Sequence, residues 1–264
     1  MKLKKPALGA IIILVALITI IGLSGLNFLV PWNAQNYGQN SEAGQNENIV
    51  GKILLTTKDN VKIAADLYAV ENPVGWVVLT HMMPATKESW KNFAADLQKS
   101  GYESLAIDLR GHGDSDGGPD GYANFSDAEH QKSILDLEAG VDYLIKYKGA
   151  SADKISFIGA SIGANLSLQY ISEHSEFKTA VLLSSGLNYR GIKTEPMIKN
   201  LKSGQRIFFV SAKDDDANVE ENQKLYELTP AGVEEKIQIY ETGGHGTDIL
   251  KNQPELENLI IKFL

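Results

Sequence analysis

Cysteine is absent from the 264 residues, which removes disulfides, a thiolate nucleophile, cysteine metal ligands and a lipidated N-terminal cysteine. Nucleophilic chemistry, if there is any, must use other side chains. Positive charge is scarce as well: 25 Lys and Arg stand against 33 Asp and Glu, a net of −8. Setting aside Lys2, Lys4 and Lys5 leaves 22 basic residues against the 33 acidic ones, a net of −11. A polyanion such as nucleic acid is therefore not an expected partner.

Charge of either sign is missing from Ala7 to Val30, a run of 24 residues. As a helix it would extend about 36 Å, enough for a hydrocarbon core of about 30 Å. The expectation is an N-terminal membrane anchor over residues 1–30, or a signal sequence if the chain is cut near Gly22-Leu23-Ser24. All three lysines precede the run and none of residues 31–51 is Lys or Arg. The positive-inside rule then keeps the N-terminus cytoplasmic and puts the rest on the extracytoplasmic side. Cleavage would release a secreted protein instead. Residues 31–48, with WNAQNYGQNSEAGQNEN at their centre, offer little apolar surface to offset the entropy of ordering and read as a flexible polar linker.

From residue 49 to 264 apolar runs alternate with segments of helical period. GWVVLTH (75–81), YESLAID (102–108), KISFIGA (154–160), KTAVLLSS (178–185), QRIFFVSA (205–212) and EKIQIYE (235–241) read as strands. SWKNFAADLQKSG and AEHQKSILDLEAGVDYLIKY between them read as helices. Continuous apolar strands separated by helices predict an α/β domain, a mostly parallel sheet covered on both faces. GKILLTT and VKIAADLYAV, joined by Lys58-Asp59-Asn60, predict an antiparallel hairpin at the sheet edge.

Ser161 lies in FIGASIGANLSL (157–168), between Gly159 and Gly163 and between a strand and a helix. That is the context of a nucleophile elbow, where small neighbours allow a sharp turn that exposes the hydroxyl. A base would be a histidine. His130 and His174 lie on helical segments and are expected to face solvent; His81 and His112 suit hydrogen-bonded structural roles. His245, in TGGHGTD just past the last strand, remains. The orienting acid should fall between serine and histidine in sequence, and FFVSAKDDDAN offers Asp214, Asp215 and Asp216 without separating them by position.

Together these segments resemble the serine-dependent α/β-hydrolase family, of the lidless esterase or serine-aminopeptidase kind, over roughly residues 50–264. DLRGHGDSDG (108–117) resembles a D-x-R-G-x-G-x-S segment common there, LTHMMPATKESW (79–90) resembles the strand and loop that supply an oxyanion-hole amide, and GGHGTDIL (243–250) is similar to the histidine loop. The resemblance implies Ser161 as nucleophile, His245 as base and the amides of Met83 and Ile162 as oxyanion hole. It favours Asp215 as the acid, because Ser211-Ala-Lys-Asp-Asp215 followed by Leu225-Tyr226 matches the family's spacing. One departure is His81-Met82, where His-Gly is frequent; Met82, flexible and polarizable, becomes a candidate for the acyl pocket. DLRGHGDSDG itself reads as a structural turn.

The implied reaction is acyl transfer to water through an acyl-enzyme, without metal or organic cofactor. Only about 19 residues, GLNYRGIKTEPMIKNLKSG, separate the strand ending at Ser185 from the next, which argues for an open site and small or medium esters or thioesters. A serine peptidase of the aminopeptidase type and a non-catalytic tethered binding protein are the alternatives.

Overall fold

The computed structural model describes residues 50–264; the anchor expected over 1–30 and the linker over 31–48 lie outside the described residues. Among the described residues no helix is long and apolar enough to cross a membrane. The described residues form ten strands: β1 (Val50–Thr56), β2 (Lys62–Tyr68), β3 (Gly75–Thr80), β4 (Tyr102–Ile107), β5 (Ile155–Ala160), β6 (Thr179–Leu183), β7 (Asn188–Tyr189), β8 (Ile192–Lys193), β9 (Arg206–Ala212) and β10 (Glu234–Tyr240). Eight of them make one sheet, in the order β1-β2-β4-β3-β5-β6-β9-β10. β1 and β2 form the expected edge hairpin, with Asn60 in the left-handed region at φ 63°. β2 also meets β4 antiparallel, and every pairing from β4 to β10 is parallel.

The central strands β3, β5, β6 and β9 are buried along almost their whole length and are mostly apolar because both of their faces are covered. Successive residues alternate between two cores. Val78, Phe157, Ile207 and Phe209 pack with α3 (Ile134–Lys148), α4 (Ile162–Glu173), α5 (Thr194–Asn200) and α6 (Asn218–Glu227). Val77, Leu79, Ile158, Phe208 and Val210 pack with α1 (Lys91–Lys99), α7 (Asp248–Asn252) and α8 (Glu255–Ile261).

Two features depart from the sequence reading. The helix expected across 128–147 is divided into α2 (Asp127–Gln131) and α3. The pieces answer to different partners. A capping box at Ser126 and Glu129 starts α2, which carries His130 inward against Phe125, so His130 is buried rather than solvent-facing. Asp136, on the first turn of α3, is instead tied to Arg110. The second departure is the 186–204 connection, which folds into the β7–β8 ribbon and α5, burying Ile192, Ile198 and Leu201 in the α4-side core.

Candidate active site

The parallel strands all deliver their carboxyl ends to one edge of the sheet, and the expected site residues follow those ends. Ser161 follows β5 directly, at φ 53° and ψ −119°, and begins α4. A non-glycine residue in this region costs on the order of 1–3 kcal/mol and persists only where its surroundings over-determine it. The two glycines supply that constraint. A Cβ on Gly159 would lie 2.1 Å from the Gly163 carbonyl oxygen, and one on Gly163 would lie 2.4 Å from the Thr80 oxygen. Strand β5, the first turn of α4 and the end of β3 thus meet backbone to backbone. The Ser161 N–H donates to the Leu183 oxygen at 2.8 Å, fixing the turn to β6.

Ile162 is the first residue of α4, where amides have no intrahelical acceptor. Met83 lies on the loop after β3 and packs its side chain on the core that contains Ile162. Met82 turns the other way, its sulfur accepting from Thr247 Oγ1 at 3.9 Å, and so wedges beneath the histidine loop.

His245 stands on the loop after β10, which is moored to the end of β6 by the Gly246 N–H donating to Ser184 Oγ at 2.9 Å. Of the three aspartates, Asp215 reaches the imidazole, with Nδ1 to Oδ2 at 2.7 Å. An ionised carboxylate only accepts, so Nδ1 carries the proton and Nε2 is left with its lone pair. Asp214 is engaged elsewhere. It accepts from the Gly243 and Gly244 N–H groups at 3.0–3.1 Å, which holds its carboxyl below the usual range and shapes the histidine loop. Asp216 is exposed, in a left-handed conformation at φ 36°.

The other histidines are structural. His81 is fully buried, donates from Nδ1 to the Met82 oxygen at 2.9 Å and accepts from the Leu109 N–H at Nε2 at 3.0 Å. Burial, reinforced by neighbouring His112, pushes it down to about 3. His112 stacks on Tyr122 at 4.1 Å and donates from Nδ1 to the Arg110 oxygen at 3.0 Å. His174 closes α4, half exposed beside Glu176.

The DLRGHGDSDG turn is a buried ionic frame rather than a reacting group. Asp108, fully buried, takes the Lys87 N–H at 2.7 Å and the Lys87 ammonium at 2.6 Å, and Asp114 takes the same ammonium at 2.7 Å. Burial works against the lysine charge, but hydrogen bonds to Asp108, Asp114 and Glu88 outweigh it and hold the ammonium above the ordinary lysine range. Arg110 binds Asp136 through Nε and Nη2 at 2.9 and 2.8 Å, and Asp59 through Nη1 at 2.7 Å. Through Lys87 this frame anchors the end of the loop that carries Met82 and Met83.

One residue beside His245 is absent from the sequence reading. Tyr189, on the β7–β8 ribbon, sets its ring against His245, with centroids 6.4 Å apart and planes at 82°. The signal for it is Gly186, three residues earlier, which leaves the space that the ring fills.

Several solved structures share this fold. An esterase from Pyrococcus furiosus superposes with a TM-score of 0.66 at 24% identity, covering 82% of this chain and 90% of its own. An acetyl xylan esterase from Paenibacillus sp. R4 gives 0.67 at 16% identity, over 85% and 87% of the two chains. An esterase from Exiguobacterium antarcticum gives 0.62 at 14%, over 80% and 98%. No curated protein matches the sequence. The family model described as serine aminopeptidase, S33, matches residues 71–208, from before β3 into β9 and across the Ser161 elbow. That match spans more than half of the sequence, and the chain belongs to this family of α/β-hydrolases.

Proposed function

We propose that the protein is a serine hydrolase that cleaves small or medium carboxylic esters or thioesters through an acyl-enzyme on Ser161. The observation that carries the reading is the 2.7 Å bond between His245 Nδ1 and Asp215 Oδ2, on neighbouring loops at the edge where Ser161 occupies its strained turn. His245 Nε2 takes the serine proton as Oγ attacks the carbonyl carbon, and Asp215 holds the tautomer and stabilises the imidazolium. The amides of Ile162 and Met83 receive the developing oxyanion, each worth about 3 kcal/mol in a site of this kind. Collapse expels the alcohol or thiol with the proton returned by His245. Water then repeats the sequence on the acyl-enzyme, so no cofactor is required.

The short 186–204 connection supports a small or medium substrate, since it is spent on a two-stranded ribbon and a seven-residue helix. The family's description favours a second reading, an aminopeptidase-type amide hydrolase, with the same three side chains. A panel of short- and medium-chain esters, matching thioesters and aminoacyl amides separates the two. Ester turnover exceeding amide turnover by about 10²-fold or more in kcat/KM supports the first. Preferential cleavage of the amides refutes it.

The apolar run at 7–30 supports tethering of this hydrolase to a membrane, with the catalytic domain on the extracytoplasmic side. N-terminal sequencing of active protein from membranes should return a chain that still carries the apolar run at 7–30. A mature chain starting near Gly25 or Gln35 would make it a secreted enzyme.

A further inference from the structure

Ser184, the residue after β6, is fully buried and holds a positive φ of 52°. Glycine adopts that region freely, whereas a side chain is disfavoured there and persists only where its surroundings require it. A serine at such a position needs a reason that lies in its hydroxyl. The structure supplies one: Ser184 Oγ accepts the Gly246 N–H at 2.9 Å, in the protein interior. That N–H belongs to the planar peptide joining His245 to Gly246, so the bond fixes the orientation of the unit that carries the imidazole.

The same bend of chain is the reference point for the rest of the site. The Leu183 oxygen takes the Ser161 N–H at 2.8 Å, so the nucleophile hangs on the residue before Ser184. The Ser184 N–H donates at 2.8 Å to the Val210 oxygen in β9, and the Ala212 oxygen at the end of that strand takes the Asp215 N–H at 3.1 Å. Gly246 is closed in from another side. It lies at φ 58°, and a Cβ on it would come within 2.5 Å of Met82 Sδ and 3.2 Å of Ala160 Cβ. Packing of that kind confines the loop without direction, and the hydrogen bond to Ser184 supplies the direction.

We infer that Ser184 is a positioning residue for the base: its hydroxyl orients the His245–Gly246 peptide so that the imidazole, bonded to Asp215 through Nδ1, is held where Nε2 takes the Ser161 proton. The inference rests on the serine-hydrolase reading above. Ser184 touches no reacting atom and acts only through His245. Misplacing a catalytic group by about 1 Å costs on the order of 10²-fold in rate, so loss of this bond lowers kcat and leaves KM nearly unchanged.

The test compares the wild type with Ser184→Gly and Ser184→Ala for kcat and KM on a p-nitrophenyl ester, fluorophosphonate labelling rate and thermal midpoint, and repeats both substitutions in the His245→Ala protein. Glycine removes the hydroxyl and the strain together, whereas alanine removes the hydroxyl and keeps the strain, so Ser184→Ala should melt below Ser184→Gly. Activity should follow the hydroxyl instead. The expected result is a kcat loss of roughly 10- to 100-fold in both variants alike, with KM within about 3-fold of the wild type and labelling slowed in step. In the His245→Ala background neither substitution should cost more than about 2-fold further, because a residue that acts through His245 has nothing left to position. Wild-type kcat in Ser184→Gly, a loss confined to KM, or a loss that persists undiminished without His245 would make Ser184 a structural residue and overturn the inference. Should Ser184→Ala not fold, Ser184→Gly and its combination with His245→Ala decide the matter alone. If the wild type neither labels nor hydrolyses any ester, the serine-hydrolase reading fails first and this inference with it.

Discussion

Ser161→Ala should lower ester hydrolysis by roughly 10⁴- to 10⁶-fold in kcat, the scale set by removal of the nucleophile from a triad. No cysteine is available to form the acyl intermediate in its place. The fold should survive. Alanine keeps the Cβ that already fits the turn at φ 53°, and the turn's backbone bonds to Leu183, Ala164 and Asn165 do not involve the side chain. The thermal midpoint should therefore stay within a few degrees of the parent. His245→Ala should lose a comparable amount of activity, and the double variant little more, because triad members act as a unit. Additive losses in the double variant would argue that the two residues do not share a step.

Lys87→Met should cause the second large effect, on stability. The substitution removes the cation from Asp108, which is fully buried, and leaves that carboxylate with backbone donors alone. Breaking a buried pair from one side costs about 3–5 kcal/mol. For a domain of this size each kcal/mol shifts the midpoint by about 2–4 °C, so the melting temperature should fall by roughly 10 °C. Lys99→Met, which removes an exposed pair with Asp96, should cost about 0–1 kcal/mol in the same assay. Equal effects of the two variants, read by thermal denaturation, would show that the Lys87 frame is not a stabilising element.

The parts of this molecule that were legible in the sequence are those whose physics is local. Strands β3, β5, β6 and β9 announce themselves as unbroken apolar runs because both of their faces are buried. Gly159 and Gly163 mark the elbow because the close approach they permit lies within a few residues of Ser161. His245 follows by elimination among five histidines. What the sequence leaves open depends on distant partners. Asp214, Asp215 and Asp216 are chemically alike, and they separate only when the histidine loop arrives. Asp214 then caps its amides and Asp215 meets its imidazole.

Lys87 and His130 were hidden for the same reason. A lysine in a polar stretch reads as solvated until Asp108 and Asp114, 21 and 27 residues on, close around it. A histidine on a short helix reads as exposed until Phe125 covers it. Tyr189 lies in a connection too short to be a lid, and nothing local in its sequence brings it to His245. Residues 186–204 contribute no domain, yet they deliver a ring to His245.

The measurement that bears most directly on the account is covalent labelling of the purified protein with a fluorophosphonate, followed by peptide mass mapping of the adduct. One adduct per chain is expected, on the peptide that contains Ser161, absent from Ser161→Ala and formed far more slowly in His245→Ala. Labelling of the Ser161→Ala protein at the wild-type rate, or a wild type that hydrolyses esters while Ser161 stays unmodified, would contradict it.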